Sequence, residues 1–145
     1  MEEEKKYDII MKVTKDKLAI WTPLQKKKEK YFVEAMIDDY DGFRIFLKGE
    51  KEDSEILKIS FVDVLSYRNT DESYLLNIWH NTDKKVLGNI FYTIENSSYI
   101  DFFNGMTHDL YSNWKVNHYA IYTLSDCIDI LSEHEPHFEV VTEIK

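Results

Sequence analysis

The sequence predicts an α+β fold, in which a mainly antiparallel sheet (an N-terminal meander) carries two or three short helices of the C-terminal half on one face. Up to residue 66, apolar residues alternate with polar ones between turn signals, as in antiparallel strands. Beyond it, apolar residues recur at three- and four-residue spacing after capping signatures, which is typical of amphipathic helices. With 145 residues, four glycines and two prolines, we expect a single domain over residues 1–145, with residues 1–6 as a disordered tail.

The first half predicts about five strands joined as a meander. Alternation places them at residues 9–13, 18–21, 31–38, 43–48 and 57–61. The polar stretches at residues 39–42 and 49–54 supply the turn residues between the later strands.

The period changes after residue 66. Residues 69–72 resemble a helix start with acids in the first turn, although a strand over residues 74–80 is an equal alternative. Residues 86–94 predict a strand. Ser98 with Asp101 resembles a capping box, and it precedes an apolar helix face consisting of Tyr99, Phe102, Phe103, Met106 and Leu110.

The C-terminal stretch predicts a strand, a helix and an edge strand. Residues 117–123 alternate, with His118, Ala120 and Tyr122 on one side. A second capping signature at residues 123–126 then begins a short helix, and residues 137–144 form the last strand. The apolar face of that helix consists of Leu124, Cys127, Ile128 and Leu131.

The charge balance bears on the class of partner. The formal net charge is −9, which repels nucleic acids and anionic membranes and favours a basic protein partner. No apolar run approaches the ~18 residues needed to span a membrane. The single cysteine excludes an intrachain disulfide, so we expect a reducing compartment, the cytoplasm.

The motif content argues against an enzyme. The chain has no glycine-rich phosphate loop, no nucleophile elbow and no paired-cysteine metal motif. Cys127, flanked by Asp126 and Asp129, is interpreted as a core residue. Pro136 separates His134 from His137, so no metal site and no cofactor is predicted there.

Eight residues are candidates for binding. Arg68 lies where a strand ends in a chain with two arginines, and it could bind a polar ligand; the structural alternative is that it pairs within the fold. Aromatic residues beyond the needs of the core suggest a protein interface, although a tyrosine-rich sheet surface is equally compatible. The candidates are Tyr67, Arg68, Glu72, Trp79, Tyr111, Trp114, His118 and Tyr119.

Three runs, FVDVLSYRNTDES, IENSSYIDFF and NHYAIYTLSDCIDILSEHEP, resemble small stand-alone bacterial proteins, some of which are immunity proteins for polymorphic toxins. The resemblance covers about half of the chain (residues 61–136), and it implies a non-catalytic protein that acts by binding. We therefore expect an immunity or antitoxin protein that occludes a basic toxin. The alternative is a phage or bacterial protein that sequesters a small signalling ligand near Tyr67, Arg68, Glu72 and His118.

Overall fold

The fold is mostly antiparallel β-structure, so the expectation of an α+β fold with two or three helices is wrong. A computed structural model describes residues 14–24, 30–51, 55–76, 80 and 82–145. The predicted strand at residues 9–13 and the predicted tail at residues 1–6 lie outside this part. The strands are β1 (Lys17–Ile20), β2 (Tyr31–Asp39), β3 (Gly42–Gly49), β4 (Ile56–Phe61), β5 (Val64–Asp71), β6 (Phe91–Glu95), β7 (Asn117–Tyr122), β8 (Asp126–Ser132) and β9 (His137–Val141).

Helical structure is sparse. One α-helix, α1 (Ser98–Met106), lies wholly within the described residues, and a 3₁₀ helix spans Glu72–Leu75. Of the helix start expected at residues 69–72, residues 69–71 are instead the end of strand β5, and a 3₁₀ turn capped by the Asp71 carboxylate begins at Glu72. No helix in the described part of the chain is long and apolar enough to cross a membrane.

Two sheets enclose the main core. Their strand orders are β1-β6-β7-β8-β5 and β2-β3-β4-β9, and the predicted meander is confirmed at β2-β3-β4. Alternate side chains of β3 and β4 meet those of β6, β7 and β8 between the sheets, as the two-residue period of a strand requires. The rings of Trp21 and Tyr119 pack 5.0 Å apart in this layer. The opposite face of the five-stranded sheet forms a second cluster around Tyr92, Ala120 and Tyr122.

Strand β8 replaces the helix expected after residue 124. Its residues from Cys127 to Ser132 are all buried, because β8 has strands on both sides and packed side chains on both faces. A strand buried on both faces loses its polar alternation, and a short apolar run then matches a helix as well as a strand. Cys127 is fully buried, as predicted, but on a strand.

The N-cap of helix α1 lies one residue earlier than predicted. Ser97, not Ser98, is the N-cap, and its hydroxyl oxygen accepts from the Ile100 backbone N–H at 3.0 Å. Asp101 does not bond back to the cap but pairs with Lys15. The strand expected at residues 86–94 begins only at Phe91, because residues 84–88 form a turn.

Gly105 weakens α1 and can be replaced. A Cβ built there meets no atom within 4 Å, and the residue lies in the last turn of the helix with an ordinary helical backbone. We expect Gly105→Ala to raise the free energy of unfolding by about 0.5–1 kcal/mol, measured by urea denaturation. Gly42, at φ +111°, is the matched control, since alanine there must adopt a strained backbone and should destabilise. A destabilising Gly105→Ala would contradict this account of the helix.

Candidate functional site

The outer side of α1 and the turn after it expose large apolar side chains. Phe102 is 64% exposed, Met106 67%, Leu110 71% and Trp114 48%. They follow one another at four-residue spacing, and the sequence had predicted three of them for a packed helix face. With roughly 200 Å² for a fully exposed large side chain, the four together present on the order of 500 Å². That is as large as the largest apolar patch of a typical monomer, which is often functional.

Half-buried aromatic rings of the same stretch link Trp114 to helix α1. The ring centroids of Phe103 and Tyr111 are 5.4 Å apart. Tyr111 and Trp114 pack in a T-shaped arrangement with their centroids 4.8 Å apart. We call this surface the α1 patch. It consists of Phe102, Phe103, Met106, Leu110, Tyr111 and Trp114.

A Schellman-type turn brings the second half of the patch back beside α1. The Asp109 N–H bonds to the Asn104 carbonyl at 2.9 Å, and the His108 N–H to the Gly105 carbonyl at 3.4 Å. His108 and Asp109 both have positive φ, 51° and 58°, where glycine is usual. The chain therefore holds a costly backbone conformation where it turns Tyr111 back toward α1.

A buried polar network lies beneath α1, centred on Asp129. This residue is fully buried in β8, and its Oδ1 accepts from His118 Nε2 at 2.6 Å and from the Tyr122 hydroxyl at 2.8 Å. Its Oδ2 accepts from Arg68 Nε at 3.1 Å. Ala120 on β7 lies directly opposite Asp129. Its small side chain leaves space for His118 and Tyr122, which lie two residues to either side of it. Three donors thus compensate a buried carboxylate.

The network continues from His118 to the cap of α1. The Nδ1 atom of His118 lies 2.7 Å from Ser97 Oγ. A carboxylate can only accept, so Nε2 of His118 donates to Asp129, and Nδ1 shares the next hydrogen bond with the Ser97 hydroxyl. The Ser97 oxygen in turn accepts from Ile100 N–H. One unbroken chain of hydrogen bonds therefore runs from the centre of the sheet to the first turn of α1.

Ser97, His118 and Asp129 have the order of groups found in serine hydrolases, namely hydroxyl, imidazole and carboxylate. In those enzymes the hydroxyl faces a substrate. Here Ser97 is 6% exposed and its oxygen caps a helix. The arrangement in this conformation therefore holds structure and does not offer a nucleophile to a substrate.

The Asp129 carboxylate contributes to raising the pKa values of both Arg68 and Tyr122. Burial alone would lower the pKa of Arg68, but the charge and hydrogen bond of Asp129 raise it above the ordinary value, so the guanidinium stays charged. The guanidinium also lies 4.2 Å from the centre of the Tyr99 ring. Burial, followed by the charge of Asp129, raises the pKa of Tyr122, so its phenol keeps the proton that it donates.

The residues predicted for a small ligand do not share one cavity. Arg68 and His118 meet at Asp129, whereas Glu72 is exposed in the 3₁₀ helix. Tyr67 packs its ring 4.4 Å from Phe43 on the other face of β5. It lines an open cavity of about 400 Å³, whose lining includes neither Arg68 nor His118. The internal pairing of Arg68 that the sequence left open is thus present, with Asp129 as the partner.

The predicted interface aromatics divide into three groups. Tyr111 and Trp114 belong to the α1 patch. Tyr119 is 3% exposed between the sheets, and burial raises its pKa; its side chain is closed to a partner. Trp79 lies outside the described residues.

Sequence reasoning missed Asp129, Ser97 and the exposure of Phe102 and Met106. Asp129 stands alone within the apolar run CIDIL, and an isolated acid in a buried run implies internal partners. The strand register that supplies His118 and Arg68 to it is not visible in the sequence. Comparisons with family models, with curated proteins and with solved structures find no match for this chain, so its function is inferred from its own geometry.

Proposed function

We propose that this protein acts by binding a basic protein through the α1 patch, in the manner of an immunity or antitoxin protein that covers a cytoplasmic toxin. The observation that carries the proposal is the exposure of four large apolar side chains in one short stretch of chain. Aromatic residues and methionine are enriched at the centres of protein interfaces, where they become the anchors of binding. The patch has the size and composition of such a centre, and the polar residues around it would form the rim.

The charge of the chain favours a basic partner over the other possible occupants of the patch. Two copies of a chain with net charge −9 repel each other, and so do this chain and an anionic membrane. A basic protein is instead attracted, and its association is accelerated by the same field. Asp109, in the turn after α1, is exposed and places part of that charge next to the apolar side chains, whereas the charge of Asp101 is paired with Lys15.

A photo-crosslinker in place of Leu110 tests the proposal in the cells that produce the protein. Leu110 is 71% exposed in the patch, and Val140, 63% exposed on β9 of the other sheet, is the matched control position. We expect crosslinks to a protein rich in lysine and arginine from position 110 and not from position 140. Crosslinks to a second copy, to the chain's own residues 1–13 or to lipid, or equal yields at both positions, would overturn the proposal.

The affinity of the purified pair provides the quantitative test. We expect Leu110→Asp to weaken binding by at least about thirtyfold, since a charge buried at the centre of an interface removes an anchor and lacks a partner. Val140→Asp should leave the affinity unchanged. Binding of the unmodified protein should weaken as salt is added, because opposite charges attract across the rim. An affinity independent of salt would contradict the assignment of a basic partner.

A further inference from the structure

We infer that the buried hydrogen bonds linking Asp129, His118 and Ser97 position the α1 patch. These three residues lie outside the docking surface and act as positioning residues for it. The inference rests on the proposed function, in that it explains how the proposed surface is presented.

The first support is how little of α1 is buried. Of the nine residues of α1, Tyr99 alone is buried. Burial of an apolar face is the usual source of helix stability in proteins, and a helix this short is marginal alone.

Polar contacts at the first turn therefore carry the attachment of α1. The Ser97 hydroxyl joins the Ile100 N–H to His118, and the Asp16 carboxylate accepts from the Ser98 N–H at 2.6 Å. Lys15 pairs with Asp101 on the exposed side. Of these contacts, only the one through Ser97 is buried and reaches the centre of the sheet.

Tyr99 also connects the first turn of α1 to the buried polar network. Its hydroxyl and the Ser66 hydroxyl share a hydrogen bond, and its face receives the Arg68 guanidinium. The Tyr99 and His118 rings pack in a T-shaped arrangement with their centroids 5.6 Å apart. Both Arg68 and His118 are held by Asp129. The buried carboxylate thus orients both groups on which the first turn of α1 rests, and the patch begins three residues beyond Tyr99.

Ser97→Ala and Ser97→Thr separate positioning from general stability. Alanine removes the hydroxyl, whereas threonine keeps it. We expect Ser97→Ala to accelerate amide hydrogen exchange in residues 98–106 by about five- to thirtyfold, the fold-change that corresponds to the loss of an N-cap. Exchange in β3 and β4 should change by less than about twofold, since opening a helix end is local. Ser97→Thr should restore slow exchange in α1.

A spin label in the patch reports its presentation directly. Cys127 is fully buried, and its pKa, raised by burial to about 12, keeps the thiol protonated and inert, so a label reacts with an introduced cysteine. We expect Ser97→Ala to increase the mobility of a label at Met106→Cys and not at Val140→Cys, and Ser97→Thr to reverse the increase. Equal loosening at both positions, faster exchange throughout both sheets, or no change at α1 would overturn the inference. Both readouts use the free protein, so a failure of the partner experiments leaves this test intact, and the reverse also holds.

Discussion

Asp129→Ala is expected to lower the free energy of unfolding by about 3–5 kcal/mol, the range observed when one partner of a buried charged pair is removed. The carboxylate is fully buried and accepts from three side chains. Without it, the His118 N–H and the Tyr122 hydroxyl are buried with no acceptor, and each such group costs about 1–3 kcal/mol. Arg68 adds less, because its side chain is 33% exposed and water screens its charge.

Chemical denaturation followed by circular dichroism measures this loss. Asp126→Ala is the matched control, because Asp126 lies on the same strand and accepts from the exposed Asn69 amide. We expect the control to cost less than about 1 kcal/mol, as is usual for an exposed hydrogen bond. Equal losses for the two variants would show that the network around Asp129 does not hold the fold together.

Stability is expected to fall steeply in alkali because of Cys127. Burial, followed by the negative charge of Asp129, raises the pKa of this thiol from 9.0 to about 12. Between these values the unfolded chain has lost the proton and the folded chain keeps it. The stabilisation is therefore complete below pH 9 and is lost as the pH rises toward 12. At about 1.4 kcal/mol per pKa unit, the loss reaches roughly 3 kcal/mol at about pH 11.

Denaturation midpoints between pH 8 and pH 11 test this expectation, with Cys127→Ala as the comparison. Burial also raises the pKa values of five tyrosines, so the variant should retain a decline above pH 10 that is shallower than that of the unmodified protein; they are Tyr67, Tyr92, Tyr99, Tyr119 and Tyr122. Parallel pH profiles for the two proteins would contradict the assignment to Cys127. Alkylation of Cys127 in native protein at pH 8 should likewise require unfolding.

The strands that the sequence predicted correctly are those with clear alternation. In β7 the alternation assigned His118, Ala120 and Tyr122 to one face, and the structure confirms this, because Tyr119 and Ile121 lie in the core between the sheets. In β8 the same reasoning failed, because burial on both faces removed the polar positions that mark a strand. Strand β7 is likewise buried from His118 to Tyr122, so burial on both faces hides a strand only where, as in the run CIDIL, the apolar spacing also fits a helix.

The sequence identified individual residues of the candidate site but not how the fold brings them together. Tyr111, Trp114, Arg68 and His118 were all identified as functional candidates, but for interactions with a ligand or partner. The structure uses Arg68 and His118 internally, and their meeting at Asp129 depends on the pairing of β5, β7 and β8. The periodicity of Phe102, Met106 and Leu110 indicated an amphipathic helix; whether such a face is buried depends on what the rest of the chain packs against it.

Hydrogen exchange of the complex tests the docking surface most directly. The 145-residue chain is compared free and bound to the purified partner identified by crosslinking from position 110. We expect the amides of residues 98–116 to exchange more slowly in the complex, whereas those of β9 and β2 remain unchanged. Protection confined to β9 or β2, with residues 98–116 exchanging as in the free protein, would show that the partner binds elsewhere and that the α1 patch is not the docking surface.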